Sequence, residues 1–272
     1  MTALSLIHRV GGKVRLTKYL LPYFPEHKCY VEPCVGGGSL FFAKEPSNVE
    51  VINDIDRELI RLYNVVRYHP DEFNEQLSWA LRSRVNFEDP EGTLPNVTEI
   101  HKAVRYYLKI MLSFGSRGQY FGYWRSSRKA PLGRDWITLS QRLQTSHVFI
   151  ENLDFRKIIE QYDSEDTFFY IDPPYEETAM PYTVRWTTQD TQDMIALLEN
   201  LRGKFLLSWG GPVSLEFKRK VWKKQIVSAQ SLSKAKKGTS RPPVLEWIIA
   251  NYPLIPNKLA GKMTVSRGGS GE

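Results

Sequence analysis

The sequence is poor in cysteine and has no long apolar run. Cys29 and Cys34 are the only cysteines among 272 residues. Two are too few for a disulfide framework, and their spacing is not that of a zinc or Cys-x-x-Cys redox site. A reducing, cytoplasmic setting is expected. No stretch approaches the roughly 20 apolar residues of a membrane span. His8, Arg9, Lys13 and Arg15 interrupt any candidate signal peptide. The 5 histidines are scattered, and no His, Cys and Asp cluster has metal-ligand spacing, so no metal is expected. No internal repeat is present, and no feature calls for an obligate protein partner.

Acidic residues are also missing locally. Residues 218–241 contain Lys218, Arg219, Lys220, Lys223, Lys224, Lys234, Lys236, Lys237 and Arg241 with no Asp or Glu. Residues 117–142 hold Arg117, Arg125, Arg128, Lys129, Arg134 and Arg142 against the single acid Asp135, interleaved with Tyr120, Phe121, Tyr123 and Trp124. The net charge is +7. Clustered basic charge among aromatics is the footprint of a nucleic-acid binder, the alternative being a solvated basic face. The arginine-rich stretch suits base reading and wedging, and Lys234, Lys236, Lys237 and Arg241 suit phosphates.

The chain alternates strand and helix at both ends. Leu16–Phe24 reads as a short helix stopped by Pro25, and Cys29–Glu32 as a strand. A glycine loop and a short helix over Ser39–Lys44 follow. Val49–Ile52 reads as a second strand, and Arg57–Tyr68 as a helix whose apolar residues share one face. The rhythm resumes with a strand at His147–Ile150, a helix at Phe155–Tyr162 and a strand at Thr167–Ile171. A helix at Thr188–Leu201 and strands at Lys204–Ser208 and Val244–Asn251 complete it. This order signals a parallel α/β sheet. Between the halves, residues 70–145 hold two helical segments, about 71–84 and 98–113, then a Gly-, Arg- and aromatic-rich stretch. They read as an insertion with its own task. Residues 1–69 and 146–255 then form the main domain, and 256–272 a disordered tail.

The most informative stretch is Asp172-Pro173-Pro174-Tyr175, delivered by the apolar run Thr167–Ile171. Open α/β sheets bind ligands at the carboxyl ends of their strands. The prolines fix φ near −65° and donate no backbone hydrogen bond. A carboxylate, a rigid carbonyl and an aromatic ring suit a planar ligand bearing an NH2 group, such as adenine or cytosine. The alternative is a proline turn with a packed tyrosine. Upstream, Glu32-Pro33-Cys34-Val35-Gly36-Gly37-Gly38-Ser39 follows a strand and opens a predicted helix, where a ligand can approach the backbone and a carboxylate is favoured. Asp54, in Asn53-Asp54-Ile55-Asp56, sits where dinucleotide folds hold ribose hydroxyls. Asp54 or Asp56 could instead cap the next helix.

Gly11-Gly12-Lys13, Glu32-Pro33 with Gly36–Ser39, Asn53–Asp56 with Leu62-Tyr63-Asn64, Asn152-Leu153-Asp154-Phe155 and Asp172–Tyr175 occur in an order that resembles the Dam-like (D12 class) adenine-specific DNA methyltransferases. The resemblance covers about residues 8–252. It implies a Rossmann-like sheet that binds S-adenosylmethionine (SAM), with an inserted, mainly helical domain that recognises double-stranded DNA. It implies methyl transfer to adenine N6, commonly in GATC-like sites of bacterial or phage DNA, with flipping of the target base. By this likeness Gly11, Gly12 and Lys13 lie near the methionine end of SAM, and Glu32, Pro33, Gly36, Gly38 and Ser39 line the loop beneath it. Asp54 takes the ribose, Asp154 and Phe155 flank the cofactor's adenine, and Asp172, Pro173, Pro174 and Tyr175 are catalytic. Ser116-Arg117-Gly118 and Pro131-Leu132-Gly133-Arg134 resemble the DNA-reading insertion.

Departures from the family pattern fall at Arg9, at Gly115–Gly118 and at Ser208-Trp209. Two other activities use related residues. Cytosine-N4 methylation shares the geometry, but the family's first tetrapeptide residue is then usually Ser, where this chain has Asp172. A non-catalytic DNA-binding module would not need Asp172, Asp54 and the glycine loop together.

Overall fold

The run Thr167–Ile171 is buried at every position, as a strand covered on both faces by helices must be. It is the fourth strand of a seven-stranded sheet in a computed structural model. The structure describes residues 5–8, 12–80, 83–88, 98–122, 133–145, 147–174, 186–210, 215–228 and 244–257. β1 (Cys29–Glu32) pairs in parallel with β2 (Val49–Asn53) and with β4 (Thr167–Ile171). β2 pairs with β3 (Val148–Glu151), and β4 with β5 (Lys204–Trp209), also in parallel. β7 (Val244–Ala250) runs antiparallel between β5 and β6 (Trp222–Ser228). The order is β3-β2-β1-β4-β5-β7-β6. The chain therefore builds outward from β1 in one direction, then returns to place β4 on its other side. That reversal opens a crevice at the carboxyl ends of β1 and β4, where such sheets bind ligands.

Period-two alternation sorts the strand residues between two cores. Phe168 and Tyr170 join Tyr30 and Leu206 on one face, while Phe169 and Ile171 join Val31, Phe205 and Leu207 on the other. The first face is covered by α2 (Arg57–Tyr68), α3 (Pro70–Trp79), α5 (Glu99–Met111) and α6 (Trp136–Gln144). Short segments α1 (Thr17–Leu20) and α4 (Arg84–Glu88) lie before and between these. The second face carries α7 (Phe155–Tyr162) and α8 (Thr188–Asn200). Asp56 caps α2 by accepting from the amides of Glu58 (3.1 Å) and Leu59 (3.3 Å), so the capping role falls to Asp56. No helix among the described residues is long and apolar enough to cross a membrane.

Several elements differ from the sequence expectation. Ser39–Lys44 is a run of turns rather than a helix. Its amides bond back at Phe42 to Gly38 and at Lys44 to Leu40, but the Lys44 ammonium is drawn into the protein toward Glu50, and Pro46 ends the run. Leu16–Phe24 resolves into α1 and a separate 3-10 turn, Leu21–Tyr23, with Pro22 inside. The segment expected at 71–84 stops at Trp79. Helix α6 and strand β6 are additional to the expectation. The helices of residues 70–145 share one apolar cluster with the sheet, in which Phe73, Tyr107 and Trp136 meet edge to face at 4.8–5.9 Å. Residues 258–272, read as a tail, lie outside the described residues.

A buried charge cluster fixes α6 to the sheet. Glu50 on β2 is fully buried. Its two oxygens accept from both terminal nitrogens of Arg142 on α6, at 2.6 and 2.8 Å, and from Lys44 at 2.5 Å. Arg142 was one of the basic residues of the 117–142 cluster; here it is committed to the interior. Burial alone would raise the Glu50 carboxyl, but hydrogen bonds and charge from Arg142 and Lys44 hold it below its ordinary value.

Removing one partner of a buried ion pair costs about 3–5 kcal/mol. Glu50→Gln is therefore expected to lose at least about 3 kcal/mol of unfolding free energy in urea titration. A carboxyl held low when folded stabilises the protein above its unfolded value of 4.5, so the wild-type advantage over Glu50→Gln should shrink as pH falls below that point. A loss under about 1 kcal/mol at pH 7 would contradict this role.

Candidate active site

Asn53, the last residue of β2, is buried and ties three strand ends together. Its amide nitrogen donates to the carbonyls of Pro33 (2.8 Å) and Leu153 (3.0 Å), and its oxygen accepts from the Leu153 amide at 2.8 Å. Asn152 adds a bond from its side chain to the Asp54 carbonyl at 2.7 Å. These bonds bring together the glycine loop after β1, Asp54 after β2 and Asp154 after β3. Neither asparagine was singled out as a positioning group, although both lie in quoted motifs.

The glycine loop is built for close approach. Gly36 and Gly38 have φ of +52° and +68°, a region that favours glycine. A Cβ on Gly37 would stand 2.5 Å from the Ile7 carbonyl, and one on Gly38 would stand 2.6 Å from the Tyr63 hydroxyl. Tyr63 in turn donates to the Gly36 carbonyl at 2.9 Å. Asp54 is buried. One of its oxygens accepts from the Gly36 amide and the other from the Asp56 amide, both at 3.0 Å. The expected helix N-terminus behind the glycines is absent, because Ser39–Lys44 forms turns. Ser39 is buried beside the loop.

At the end of β4, Asp172 meets Lys13. Lys13 is buried, and its ammonium lies 2.7 Å from Asp172 Oδ1 and 2.9 Å from Glu246 Oε1 on β7. Burial raises the Asp172 carboxyl to about 6; Lys13 pulls it down and Glu246 pushes it up. Pro173 is buried and Pro174 half-buried. Glu32, at the end of β1, accepts from the Tyr30 hydroxyl at 2.5 Å. Burial raises it to about 8, opposed by Tyr30, Lys44 and the Phe41 amide and reinforced by Asp172. Burial also pushes up the Cys34 thiol, and the charges of Asp54, Asp172, Asp154 and Glu32 push it further. Four carboxyl groups, each at or just past a strand end, thus lie within electrostatic reach of Cys34.

Asp154 caps α7 through the Arg156 amide at 2.8 Å and pairs with the Arg156 side chain at 3.0 Å. Arg156 also reaches Asp190 (2.5 Å) and Asp193 (2.7 Å) and covers the Phe155 ring at 4.4 Å. Trp186 lies against that ring at 4.9 Å. Arg156, Trp186 and Glu246 were not anticipated. Gly12 is exposed next to Lys13. Gly11 and Tyr175 lie outside the described residues.

The basic residues divide. Arg117 and Tyr120 are exposed on a tight loop closed by a bridge between Ser113 and Phe121. The Ser113 hydroxyl accepts from the Gly118 amide at 2.6 Å, and Phe114 projects from the same loop. Arg134 is half-buried and donates to the Ser5 carbonyl at 2.7 Å and the Tyr107 hydroxyl at 3.2 Å, so it holds the N-terminal segment against α5. Arg125, Arg128, Lys234, Lys236, Lys237 and Arg241 lie outside the described residues. Among the described residues, no group of three or more His, Cys, Asp or Glu side chains is placed to hold a metal ion.

Residues 10–237 match the family described as D12 class N6 adenine-specific DNA methyltransferase. A Type II methyltransferase of Lactococcus lactis subsp. cremoris is 28% identical over 61% of this chain, a span that covers 63% of that relative. A Type II methyltransferase of Methanocaldococcus jannaschii is 25% identical over 89% of this chain and 96% of its own. Among solved structures, an rRNA methyltransferase from Streptomyces viridochromogenes covers 86% of this chain and 81% of its own at 9% identity, with a TM-score of 0.37.

The loop geometry sets a test. Gly38→Ala combines a left-handed φ with a clash against Tyr63 and should cost about 1–3 kcal/mol in urea unfolding. Gly133→Ala, with nothing within 4 Å of the added Cβ, should change stability by less than about 0.5 kcal/mol. Equal effects of the two changes would show that the loop tolerates side chains.

Proposed function

We propose that this chain, which belongs to the D12 class N6 adenine-specific DNA methyltransferase family, methylates adenine N6 in a short, GATC-like site of duplex DNA, using SAM and flipping the target base. The observation that carries the reading is the junction of Asp172 with Lys13 at the sheet reversal, beside the Asp54-bound glycine loop. The alternative of cytosine-N4 methylation is disfavoured by Asp172 standing where that family usually has Ser.

The residues fit SAM in charge and shape. SAM carries a sulfonium and an ammonium besides its carboxylate, and the site brings Asp54, Asp154 and Asp172 within electrostatic reach of Cys34, while Glu32, raised to about 8, is protonated at neutral pH. When bound, SAM supplies a methyl group on a positively charged sulfur. Asp54 is placed for the ribose, and its bond to Gly36 makes it a support of the loop as well. Phe155 is buried against Arg156 and Trp186, so it would contribute only an edge of the wall beside the cofactor's adenine. Glu32 acts behind the loop through Tyr30 and Phe41.

The target amine is a poor nucleophile because its lone pair is delocalised into the purine ring. Hydrogen bonds accepted from both of its N–H groups turn the lone pair out of that conjugation. Lys13 engages Oδ1 of Asp172, which leaves Oδ2 and the Pro173 carbonyl as the two acceptors. Fixing the amine in line contributes up to about 7–11 kcal/mol in favourable systems. A base in a duplex must be extruded to reach this depth, and Tyr175 would stack on it. Arg117 and Tyr120, with Phe114, would read and wedge the duplex, helped by Arg125 and Arg128. Lys234, Lys236, Lys237 and Arg241 would hold phosphates. Arg134, tied to Ser5 and Tyr107, would support this surface from behind.

Three outcomes check the proposal. Asp172→Ala should lower turnover by more than about tenfold, a barrier rise above 1.4 kcal/mol, while calorimetric SAM affinity stays measurable; turnover above a tenth of wild type would remove Asp172 from the chemistry. Asp54→Ala should weaken SAM binding by roughly 1.5–3 kcal/mol, and unchanged affinity would remove it from the cofactor site. Arg117→Ala should reduce discrimination between GATC-containing and GATC-free duplexes by about 1–3 kcal/mol. Equal wild-type rates on the two duplexes would discard the GATC assignment.

A further inference from the structure

Glu246 lies where a carboxylate is not expected. It alternates on β7 with Ile248 and Ala250, which face the apolar cluster of the α2 side, and it is itself 5% exposed. A charge buried there requires a partner. Because β7 runs antiparallel, its first half lies at the end of the sheet where β4 and β5 finish: Trp247 registers with Trp209, the last residue of β5. The antiparallel strand thus returns an acid to the catalytic edge from the far side of the sheet. It pairs with Lys13, 2.9 Å away, whose ammonium also contacts Asp172 at 2.7 Å.

We propose that Glu246 is a positioning residue for methyl transfer: by engaging Lys13 it fixes the direction from which the ammonium meets Asp172 Oδ1, and keeps Oδ2 presented to the target amine. This rests on the reading of Asp172 as the amine's acceptor. An ammonium has three donors and no directional fork. Without Glu246, Lys13 loses that restraint and can approach Asp172 across both oxygens, which would withdraw the acceptor the amine needs. Glu246 also offsets part of the Lys13 charge and so keeps Asp172 a stronger acceptor. Among the described residues, the titratable groups electrostatically linked to Asp172 are Lys13, Glu246, Glu32, Tyr170 and Cys34. Of the acids among them, Glu32 bonds to Tyr30, and Glu246 shares the Asp172 lysine.

The sign of the effect follows from charge. A negative Glu246 raises the proton affinity of Asp172, so its removal lowers it. Methyl transfer requires ionised Asp172, so the rate should rise with pH along an acid limb set by that group. The test is Glu246→Gln in the full chain, with single-turnover transfer from tritiated SAM to unmethylated plasmid DNA between pH 5 and 9. A parallel carbon-13 titration of the Asp172 carboxyl, without SAM or DNA, gives a readout independent of activity. The expected result is a fall of at least about tenfold in the plateau rate, with the acid limb and the carboxyl midpoint both moved at least about half a unit to lower pH and calorimetric SAM affinity within about threefold of wild type. Glu246→Asp keeps the charge but shortens the reach; it should lower the rate with a smaller shift in midpoint, and it serves if the glutamine variant does not fold. A wild-type rate and unmoved midpoints in Glu246→Gln, or a wild-type rate in Glu246→Asp, would overturn the role while Asp172→Asn remains inactive. An active Asp172→Asn would instead overturn the reading of the site itself.

Discussion

The site depends on the buried amide of Asn53. One side chain spans the carbonyls after β1 and β3 and the amide of Leu153, with no polar group of its own wasted on solvent. The consequence is spatial. The glycine loop lies about 20 residues before Asp54, and Asp154 lies 100 residues after it, yet each sits close to an Asn53 bond. A buried amide that loses such partners leaves several groups unsatisfied at once, each costing about 1–3 kcal/mol. The three strand ends are therefore placed as a unit, and the crevice between β1 and β4 opens against a fixed wall.

Electrostatics then decides what the crevice prefers. Asp54, Asp154 and Asp172 all lie within electrostatic reach of Cys34 and raise its thiol, while Glu32, raised to about 8, adds no charge at neutral pH. Such a cluster suits a ligand that carries positive charge and disfavours an anion. Lys13 balances it at Asp172 and Glu246, and Arg156 at Asp154. On the surface the charge is reversed: Arg117 is exposed on its loop, and the chain carries a net +7. An acidic crevice in a protein of net positive charge suits a cation inside and a polyanion on the surface. The Glu50–Arg142–Lys44 cluster is a separate interior device that holds α6 to β2.

Much of this was legible in the sequence where local pattern and tertiary role agree. Thr167–Ile171 reads as a buried strand because every residue is apolar or β-branched, and Asp172 follows directly at its end. Arg57–Tyr68 reads as a helix because its apolar face is continuous. Legibility failed where a distant partner overrides the local signal. Lys223 and Lys224 disguise β6, which pairs antiparallel with the next strand, β7. Helix α6 is held by Arg142 reaching Glu50, a bond between residues 92 positions apart. Ser39–Lys44 has helical spacing, but Lys44 is drawn to Glu50 and the segment stays in turns. Glu246 and Asn53 have no local signature, since their meaning lies in Lys13 at one end of the chain and Leu153 near the middle. Arg134 and Arg142 counted as surface charge in composition, and only their bonds to Ser5, Tyr107 and Glu50 show their inward roles.

The central claim is that the Asp172–Pro173 acceptor pair acts on an adenine amine. The most direct measurement is mass spectrometry of nucleosides from unmethylated duplex DNA incubated with the full chain and isotopically labelled SAM. The account predicts label in N6-methyldeoxyadenosine alone. Label in N4-methyldeoxycytidine, or no labelled nucleoside from a folded protein that binds both SAM and DNA, would contradict it.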